Sequence, residues 1–352
     1  MQVGIQFFPD IGPDVKSARD YWQEALFLVG LCDRYGYSHV RTVEHYFHPY
    51  GGYSPNPVVF LAAAAQATKR ARLVTGAVLP AFNNPLKLAG ELAMLDALCD
   101  GRLDIGFARA FLPHEFARFG VKLDESRARF DEGLEQVRLL LEGENVSHEG
   151  RFHSFRNVTS LPRPTQRPRP PFYVAALATK ESFERAGAAG HGIMAIPMAG
   201  GAMAELINIY RDAWQRAGHM GRGTVMLAFH MFCHQDQAAA EHIAREPLNR
   251  YLHSLVAAAS DWLSGESSAD YPGYDKIIAA LSQDNFDTQV AKCAAWVGTP
   301  QRILDTVETY RRQIGDFEIA SLQVNFNDIA IADAEASMRL FGEKVLPRLP
   351  RL

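Results

Sequence analysis

Three segments between residues 39 and 120 decide the fold: HVRTVEHYFHPYGGYSPNP (39–57), ARLVTGAVLPAFNNP (71–85) and DGRLDIGFARAFLPHEFARFG (100–120). Each segment begins with an apolar run and continues into a loop of polar or small residues, at Glu44-His45, Pro80–Asn84 and Arg109 respectively. Helical segments rich in alanine and leucine lie between them. This repeat of strand, loop and helix is typical of a parallel α/β fold with its functional site at the carboxyl ends of the strands.

The same alternation runs through the rest of the chain and predicts a single (β/α)8 TIM barrel of the α/β class. A Rossmann domain is disfavoured because no glycine-rich dinucleotide fingerprint follows the first strand. The eight predicted strands are Val3–Phe8, Ser38–Val43, Arg72–Leu79, Arg102–Ala108, Phe172–Ala176, Gly192–Pro197, Thr224–Cys233 and Ile319–Phe326.

Composition narrows the class of protein. The 352 residues are 47% hydrophobic, which is enough for a large core, and 36 basic against 40 acidic side chains give a net charge of −4. Without a basic stripe we expect no nucleic-acid partner, and without an apolar run of about 20 residues we expect no membrane span. Four widely spaced cysteines in apolar surroundings and a first segment that enters a strand directly predict a cytoplasmic protein without a signal peptide.

Two stretches interrupt the alternation. Ser160–Pro171 (SLPRPTQRPRPP) could be a proline-rich ligand or a linker between domains, but we favour an ordered loop that leads into the fifth strand. Ser260–Gln289 is polar, has no sustained period and follows the seventh strand and its helix. We expect a mobile insertion at about residues 260–290, beside the barrel mouth, that acts as a lid within one domain spanning residues 1–352.

Glu44 and His45 are the first candidates for chemistry, because they come at the end of the second strand. A histidine there can act as a general base near neutral pH, and a hydrogen-bonded structural histidine is the alternative. His45 and His48 also form an HxxH pair. A metal site is disfavoured because no further ligand lies at a matched spacing and HEXXH is absent.

Two basic features could bind an anion. Arg109 directly follows an apolar strand, where a guanidinium can hold a phosphate or carboxylate through two hydrogen bonds, although a surface ion pair is an equal alternative. Thr179-Lys180 opens a helix after the fifth strand, and its free N–H groups could bind phosphate. A simple helix cap is the alternative there, and together with Arg109 this helix end could hold one phosphate from two sides.

The chain resembles the bacterial luciferase-like flavin monooxygenases, and especially the luciferase α subunit, in an ordered series of motifs. EHYF at 44–47 resembles the Glu-His-His-Phe signature of that family, and DGRLDIGFARAF at 100–111 resembles its Lys-Gly-Arg-Phe-x-Phe-Gly-x-x-Arg-Gly. Further counterparts in the same order are GYSPNP, VLPAFNNP, FARFG, ESRA, PFYVAA, VGTPQ and MRLFGEKVLPRL. The resemblance therefore covers nearly the whole chain, including the insertion.

The resemblance implies a two-component monooxygenase. Such a barrel binds reduced FMN from a separate flavin reductase, and the flavin reacts with O2 to give a C4a-peroxyflavin. That species oxidises a lipophilic aldehyde, ketone or polyketide-like substrate by hydroxylation, epoxidation or Baeyer–Villiger insertion. A deazaflavin-dependent reductase of the same superfamily and a non-catalytic flavoprotein subunit are the alternatives, and the retained His45 disfavours the second.

The resemblance also implies site residues. His45 falls on the active-site histidine, and Glu44 would fix its loop or its tautomer. Arg109 and Arg127 fall on phosphate-binding arginines. The other implied cofactor residues are Thr75 and Gly76 at a non-proline cis peptide against the flavin ring, Ala108 facing the ring, and Ala176, Leu177 and Lys180 of the phosphate loop.

Apolar residues at the barrel mouth predict a lipophilic substrate pocket, and they are Phe47, Phe82, Phe111, Met198 and Tyr251. The chain departs from the family at Tyr46, where the second histidine is expected, and at Ala108, where luciferase has a cysteine. These departures argue against light emission.

We further expect a homodimer that pairs the helices at Pro57–Ala67 and Pro85–Leu98, as the resemblance implies and as the small residues between 62 and 65 allow.

Overall fold

Eight parallel strands close into a barrel in a computed structural model that describes residues 1–350; residues 351 and 352 of the predicted domain lie outside the described part. The predicted (β/α)8 fold is therefore confirmed. The barrel order is β11-β1-β2-β3-β4-β7-β8-β9, and β9 pairs with both β11 and β8 to close it. The strands are β1 Gln2–Phe7, β2 His39–Thr42, β3 Arg72–Val78, β4 Leu103–Ala108, β5 Val146–Glu149, β6 Ser154–Val158, β7 Phe172–Ala175, β8 Gly192–Ala195, β9 Val225–Cys233, β10 Ala295–Gly298 and β11 Ile319–Gln323.

Helices cover the outside of the barrel and begin where the sequence supplies caps. Asn56 accepts hydrogen bonds from the first turn of α3, with Pro57 at the first helical position, and Asn84 with Pro85 does the same for α4. The helices are α1 Ala18–Gly30, α2 Cys32–Tyr35, α3 Pro57–Ala67, α4 Pro85–Leu98, α5 Pro113–Phe119, α6 Ser126–Glu142, α7 Lys180–Ala188, α8 Gly200–Arg216, α9 Gln237–Ala258, α10 Tyr274–Leu281, α11 Phe286–Ala291, α12 Pro300–Ile314 and α13 Ile331–Lys344.

Three strands lie outside the predicted set. β5 and β6 form an antiparallel hairpin after α6, and β10 pairs with the end of β9. β9 is long enough for both tasks: Met226–His230 pair with β11, and His230–Cys233 pair with β10. The hairpin was missed because its residues are largely polar and partly exposed, so that they carry no apolar alternation.

The insertion and the proline-rich stretch have more definite structures than their composition indicates. The predicted irregular segment contains a 3-10 turn at Ser260–Ser264 and the helices α10 and α11. The proline-rich stretch is a loop into β7, as we favoured, and Gln166 anchors it to buried Asp96 through its backbone N–H and its side-chain amide.

All four cysteines are buried and free. Within residues 1–350, no helix combines the length and the apolar character that a membrane span requires.

Candidate active site

His45 lies just beyond β2, buried among aromatic rings, and its Nδ1 is 3.1 Å from Glu115 Oε1. The rings of Phe8, Tyr50 and Phe111 lie 5.4, 5.6 and 6.1 Å from the imidazole, measured between centroids. Glu115 belongs to α5, which follows β4, and its side chain is fully buried. The same Oε1 atom accepts a hydrogen bond from the Tyr46 N–H at 2.8 Å, so one carboxylate fixes both the imidazole and its loop.

Of the two tasks predicted for Glu44, its contacts match the fixing of its loop, since no hydrogen bond joins its carboxylate to the imidazole. Its Oε1 accepts from the Tyr46 hydroxyl at 2.6 Å and from Asn83 Nδ2 at 2.8 Å, and its Oε2 accepts from the Leu79 N–H at 2.9 Å. Glu44 therefore joins the loop after β2 to the loop after β3. Burial raises the pKa of this carboxyl to about 7, although the three donors work in the opposite direction.

Arg109 lies at the end of β4, beneath the insertion. Its guanidinium carbon is 4.2 Å from the centre of the Tyr271 ring, and the Tyr271 hydroxyl donates to the carbonyl of Arg109 at 3.1 Å. Arg109 Nη1 is buried and has no hydrogen-bond partner. Trp262 Nε1 donates to the Phe111 carbonyl at 2.9 Å, which fastens the insertion to the same loop. The insertion therefore covers the end of β4.

Arg127 lies in the first turn of α6 and faces the start of α7. Its Nη2 is 3.2 Å from Glu181 Oε2, and Glu181 is 57% exposed. Its backbone N–H donates to Asp270 of the insertion at 3.0 Å. Arg109 and Arg127 therefore both touch the insertion, through Tyr271 and Asp270 respectively.

The loop between β7 and α7 is only partly free to bind a ligand. The Ala176 N–H donates to the Met194 carbonyl at 2.9 Å, so it is already used. Leu177 is partly exposed, and Ser182 and Phe183 return their N–H groups to the Thr179 carbonyl at the start of α7. The Lys180 ammonium pairs with Glu205 of α8 and both side chains are more than half exposed, so Lys180 points to the surface rather than toward Arg109.

The non-proline cis peptide bond joins Gly76 and Ala77, one residue later than the predicted Thr75-Gly76 bond. Thr75 is fully buried and exchanges hydrogen bonds with the backbone of Gly106 on β4. A side chain at Gly76 would overlap Arg41, whose Nη2 donates to the Gly76 carbonyl at 2.8 Å. Ala108 is partly exposed at the end of β4, as a residue facing the barrel mouth would be.

The five predicted pocket residues do not form one wall. Phe111 lies beside His45, and Tyr251 packs edge-on against Phe8 with ring centres 5.6 Å apart. Phe47 and Phe82 instead join an outer aromatic cluster around Phe119, and Phe47 is 53% exposed. Met198 is partly buried beyond β8, where its carbonyl accepts from Tyr310. The prediction from apolar residues found aromatic side chains near the barrel mouth, but it did not distinguish the inner side of the mouth from the outer side.

The family model described as luciferase-like monooxygenase matches residues 1–316. The chain belongs to that family. A solved structure of the monooxygenase RslO1 from Streptomyces bottropensis is 44% identical, with a TM-score of 0.88 and 99% of each chain covered. The oxygenase component of the flavin-dependent trigonelline monooxygenase from Acinetobacter baylyi is 29% identical over 307 residues, 84% of this chain and 82% of that protein.

A third similarity concerns the fold alone. The oxygenating constituent of 3,6-diketocamphane monooxygenase from Pseudomonas putida, solved in complex with FMN, is 20% identical with a TM-score of 0.82, over 100% of this chain and 99% of that one. The resemblance to luciferase-like monooxygenases is thus confirmed, and so is the predicted enzyme class: this member of the family is a monooxygenase, an oxidoreductase.

Three residues of this luciferase-like site were missed in the sequence. Glu115 is an acidic residue in the otherwise apolar FLPHEF, Arg41 is a charge inside the apolar strand HVRTV, and Tyr271 lies in the polar insertion. A charge within an apolar run is a usable signal, because burying it requires a partner.

No group of three or more histidine, cysteine, aspartate or glutamate side chains within residues 1–350 could hold a metal ion.

Proposed function

We propose that this protein is the oxygenase of a two-component system that uses FMNH2 from a separate flavin reductase, together with O2, to oxidise a lipophilic aldehyde, ketone or polyketide-like substrate. The observation that carries the proposal is Arg109, whose buried Nη1 lacks any hydrogen-bond partner at the end of β4, the strand that pairs with β7 ahead of α7. Unsatisfied buried donors are rare in folded proteins and call for a ligand.

A phosphate fits this corner of the barrel mouth. The N–H groups of Lys180 and Glu181 at the start of α7 have no backbone acceptor, whereas those of Ser182 and Phe183 donate to Thr179, and the helix dipole adds partial positive charge there. Arg127 reaches the same helix through Glu181. That ion pair is more than half exposed on the glutamate side, where such pairs contribute about 0–1 kcal/mol, so a phosphate can replace Glu181 at little cost.

The flavin ring then has room on the barrel side of this corner. Gly76 near the end of β3 has no side chain, and Ala108 at the end of β4 has only a methyl group, so neither residue fills this space. Ala176 is equally small at the end of β7 and is partly exposed. Reduced FMN bound there supplies the activation of O2, while this chain binds the flavin, orients it and excludes water through the insertion.

His45 is placed to donate or accept a proton beside the reacting atoms. Its Nδ1 is committed to Glu115, so its Nε2 is the nitrogen left for chemistry. The surrounding rings of Phe8, Tyr50 and Phe111 keep water from the imidazole. A positioned acid or base of this kind typically contributes about 10²–10⁴-fold to a rate.

The decisive experiment is an anaerobic titration with FMNH2, followed by O2 and by the absorbance of an oxygen adduct of the flavin. Arg109→Ala and Arg127→Ala should each weaken FMNH2 binding by about ten- to a hundredfold, since a charge-assisted contact contributes about 1.5–3 kcal/mol. Arg216→Ala is the control, because Arg216 ends α8 and pairs with Glu184 at the surface, without contact to Glu181. Unchanged affinity in both site variants, or binding of a reduced deazaflavin with hydride transfer and no O2 uptake, would contradict the proposal.

A homodimer through α3 and α4 is the second part of the proposal. Val59, Leu86, Met94 and Leu98 on these helices are 69, 39, 56 and 45% exposed, an unusual density of apolar side chains for a free surface. Ala64 and Ala65 are already buried inside the protomer, so the apolar rim rather than the alanine run carries this argument.

Light scattering at micromolar concentration should therefore give a dimer. Val59→Asp combined with Met94→Asp should give a monomer, because two buried charges would lie at the contact. Met220→Asp is the control, since Met220 is 94% exposed and follows α8, a helix that packs against α7 and α12. A monomeric wild type, or a dimer that survives the double substitution, would refute this contact.

A further inference from the structure

Arg41 is a barrel arginine without a carboxylate partner. Its Nη1 donates to Gln6 Oε1 at 2.6 Å, its Nη2 donates to the Gly76 carbonyl at 2.8 Å, and its buried Nε has no partner. No aspartate or glutamate of residues 1–350 lies within ion-pair distance of it. Arg72, at the other end of the barrel, shows the usual solution: Asp104 accepts from both its Nε and its Nη2. Arg41 therefore keeps three of its five N–H groups without an acceptor.

The guanidinium belongs to a polar layer that crosses the barrel near its mouth. Gln6 is the direct neighbour of Arg41 across β1 and β2 and of Gln323 across β1 and β11, and Gln323 is in turn the neighbour of His230 on β9. Buried atoms without partners recur in this layer, at His230 Nε2 and Gln323 Oε1. Arg41 and His230 are nevertheless partly exposed, unlike their neighbours along the strands, so the layer borders open space.

This layer faces the phosphate corner from across the mouth. In the closed order of eight strands, β1 and β11 lie opposite β7 and β4, which carry the proposed phosphate site. The layer is also close to His45: Tyr50 lies 5.6 Å from the imidazole and 5.8 Å from Tyr251, and Tyr251 lies 4.5 Å from His230, between ring centres. Arg41 itself lies on β2, separated from β4 by β3, so a molecule touching it would lie next to Gly76 and near the Tyr50 side of His45, rather than at the β7 end of the phosphate corner.

Arg41 is the source of positive charge in this layer. Burial lowers the pKa of His39 and of His230 to about 3, so both are neutral at physiological pH. Burial also lowers the pKa of Arg41, but only to about 10, which leaves it protonated. A buried charge without a counterion is costly, and a bound anion would remove that cost.

We propose that Arg41 binds an acidic oxygen of the substrate, so that the substrate carries a carboxylate, enolate or phenolate on an otherwise apolar body. The proposal rests on the function proposed above and narrows its substrate class. A planar guanidinium suits such oxygens because it can donate two parallel hydrogen bonds. The aromatic rings of Phe8, Tyr50 and Phe111 would take the apolar body.

The test uses the full-length protein loaded with FMN and two probes of one shape, naphthoate and its neutral methyl ester. The wild type should bind naphthoate about ten- to a hundredfold more tightly than the ester, as expected for hydrogen bonds to a charged group. Arg41→Met should abolish this preference. Arg118→Met is the matched control, because Arg118 is exposed at the outer cluster and lies over the Phe47 ring.

Arg41→Gln, which can still hydrogen-bond to Gln6, replaces the methionine variant if that one does not fold. Equal affinity of the wild type for both probes would overturn the proposal. A naphthoate preference that survives the substitution of Arg41, or that Arg118→Met also removes, would overturn it as well. A loss of FMN affinity with an unchanged probe preference would assign Arg41 to the flavin instead and overturn it too. Failure of FMN to bind the wild type would be a failure of the proposed function. The probe ratio measured on the same protein without FMN then tests Arg41 separately.

Discussion

Replacing Glu115 by glutamine tests whether a buried carboxylate tunes His45. The substitution keeps the shape of the side chain, so an amide oxygen can still accept from His45 Nδ1 and from the Tyr46 N–H, now at 3.1 and 2.8 Å from Oε1. What it removes is the negative charge. Hydrogen bonds to charged groups contribute about 1.5–3 kcal/mol and neutral ones about 0.5–1.5 kcal/mol, so we expect a loss of about 1–1.5 kcal/mol. That corresponds to a fall of about five- to tenfold in kcat.

The assay measures product formation at saturating FMNH2, with the member of a panel of lipophilic aldehydes and ketones that is turned over best. FMNH2 affinity and melting temperature are measured on the same preparations. Glu44→Gln is the matched control, because Glu44 is an equally buried glutamate one residue from His45 that makes no hydrogen bond to the ring. Glu115→Gln should lower kcat with little change in KM or in FMNH2 binding, and Glu44→Gln should leave kcat within about twofold.

Three results would refute the reasoning. Wild-type kcat in Glu115→Gln would show that the charge does not act on the imidazole. An equal loss in Glu44→Gln would show that any buried carboxylate in these loops has the same effect. A parallel loss of flavin binding would make Glu115 a structural residue of the loop.

Three further outcomes follow from the same contacts. His45→Ala should retain FMNH2 binding and lose about 10²–10⁴-fold in product formation, as checked by titration and turnover on one sample. Because burial raises the pKa of Glu44 from 4.5 to about 7, the folded state holds this proton more tightly than the unfolded chain does. Its stabilisation is complete below about pH 4.5 and is lost as the pH rises through about 7, a loss of about 3 kcal/mol. Urea unfolding at several pH values should show that loss in the wild type and not in Glu44→Gln; parallel pH curves would contradict it. Tyr271→Ala, which removes the ring over Arg109, should raise the fraction of reduced flavin lost as hydrogen peroxide, and an unchanged peroxide yield would argue against a covering role.

The barrel and the general position of the site were predictable because they depend on local patterns. Apolar runs ending at Glu44, Pro80 and Arg109 fix strand ends, and parallel strands bring those ends to one face. The task of each side chain was less predictable. Glu44 and Glu115 are 71 residues apart in numbering, and only the packing of α5 against the β2 loop decides which of them contacts His45. The ion pair of Lys180 with Glu205 was unpredictable for a similar reason, because Glu205 comes from another helix, α8.

Sequence patterns also report poorly on residues whose partner is a ligand. Arg41 reads as an ordinary strand residue until the structure shows that no carboxylate lies beside it. The insertion has no sustained periodic signal because its two helices are only eight and six residues long. Its contacts with Arg109 and Phe111 depend on single tyrosine and tryptophan side chains that composition alone does not distinguish.

The attachment of the insertion to both arginines has a kinetic consequence if a separate reductase supplies the flavin, as proposed above. Tyr271 holds the loop of Arg109 and Asp270 holds the start of α6 at Arg127, so the insertion is fastened directly to both sides of the proposed anion site. A flavin that arrives from a reductase would enter while these contacts are broken and would be trapped when they re-form. Its residence time would then be set by the opening of residues 260–291 rather than by the strength of the phosphate contacts. Dissociation of the flavin would accordingly slow with solvent viscosity and remain almost independent of salt.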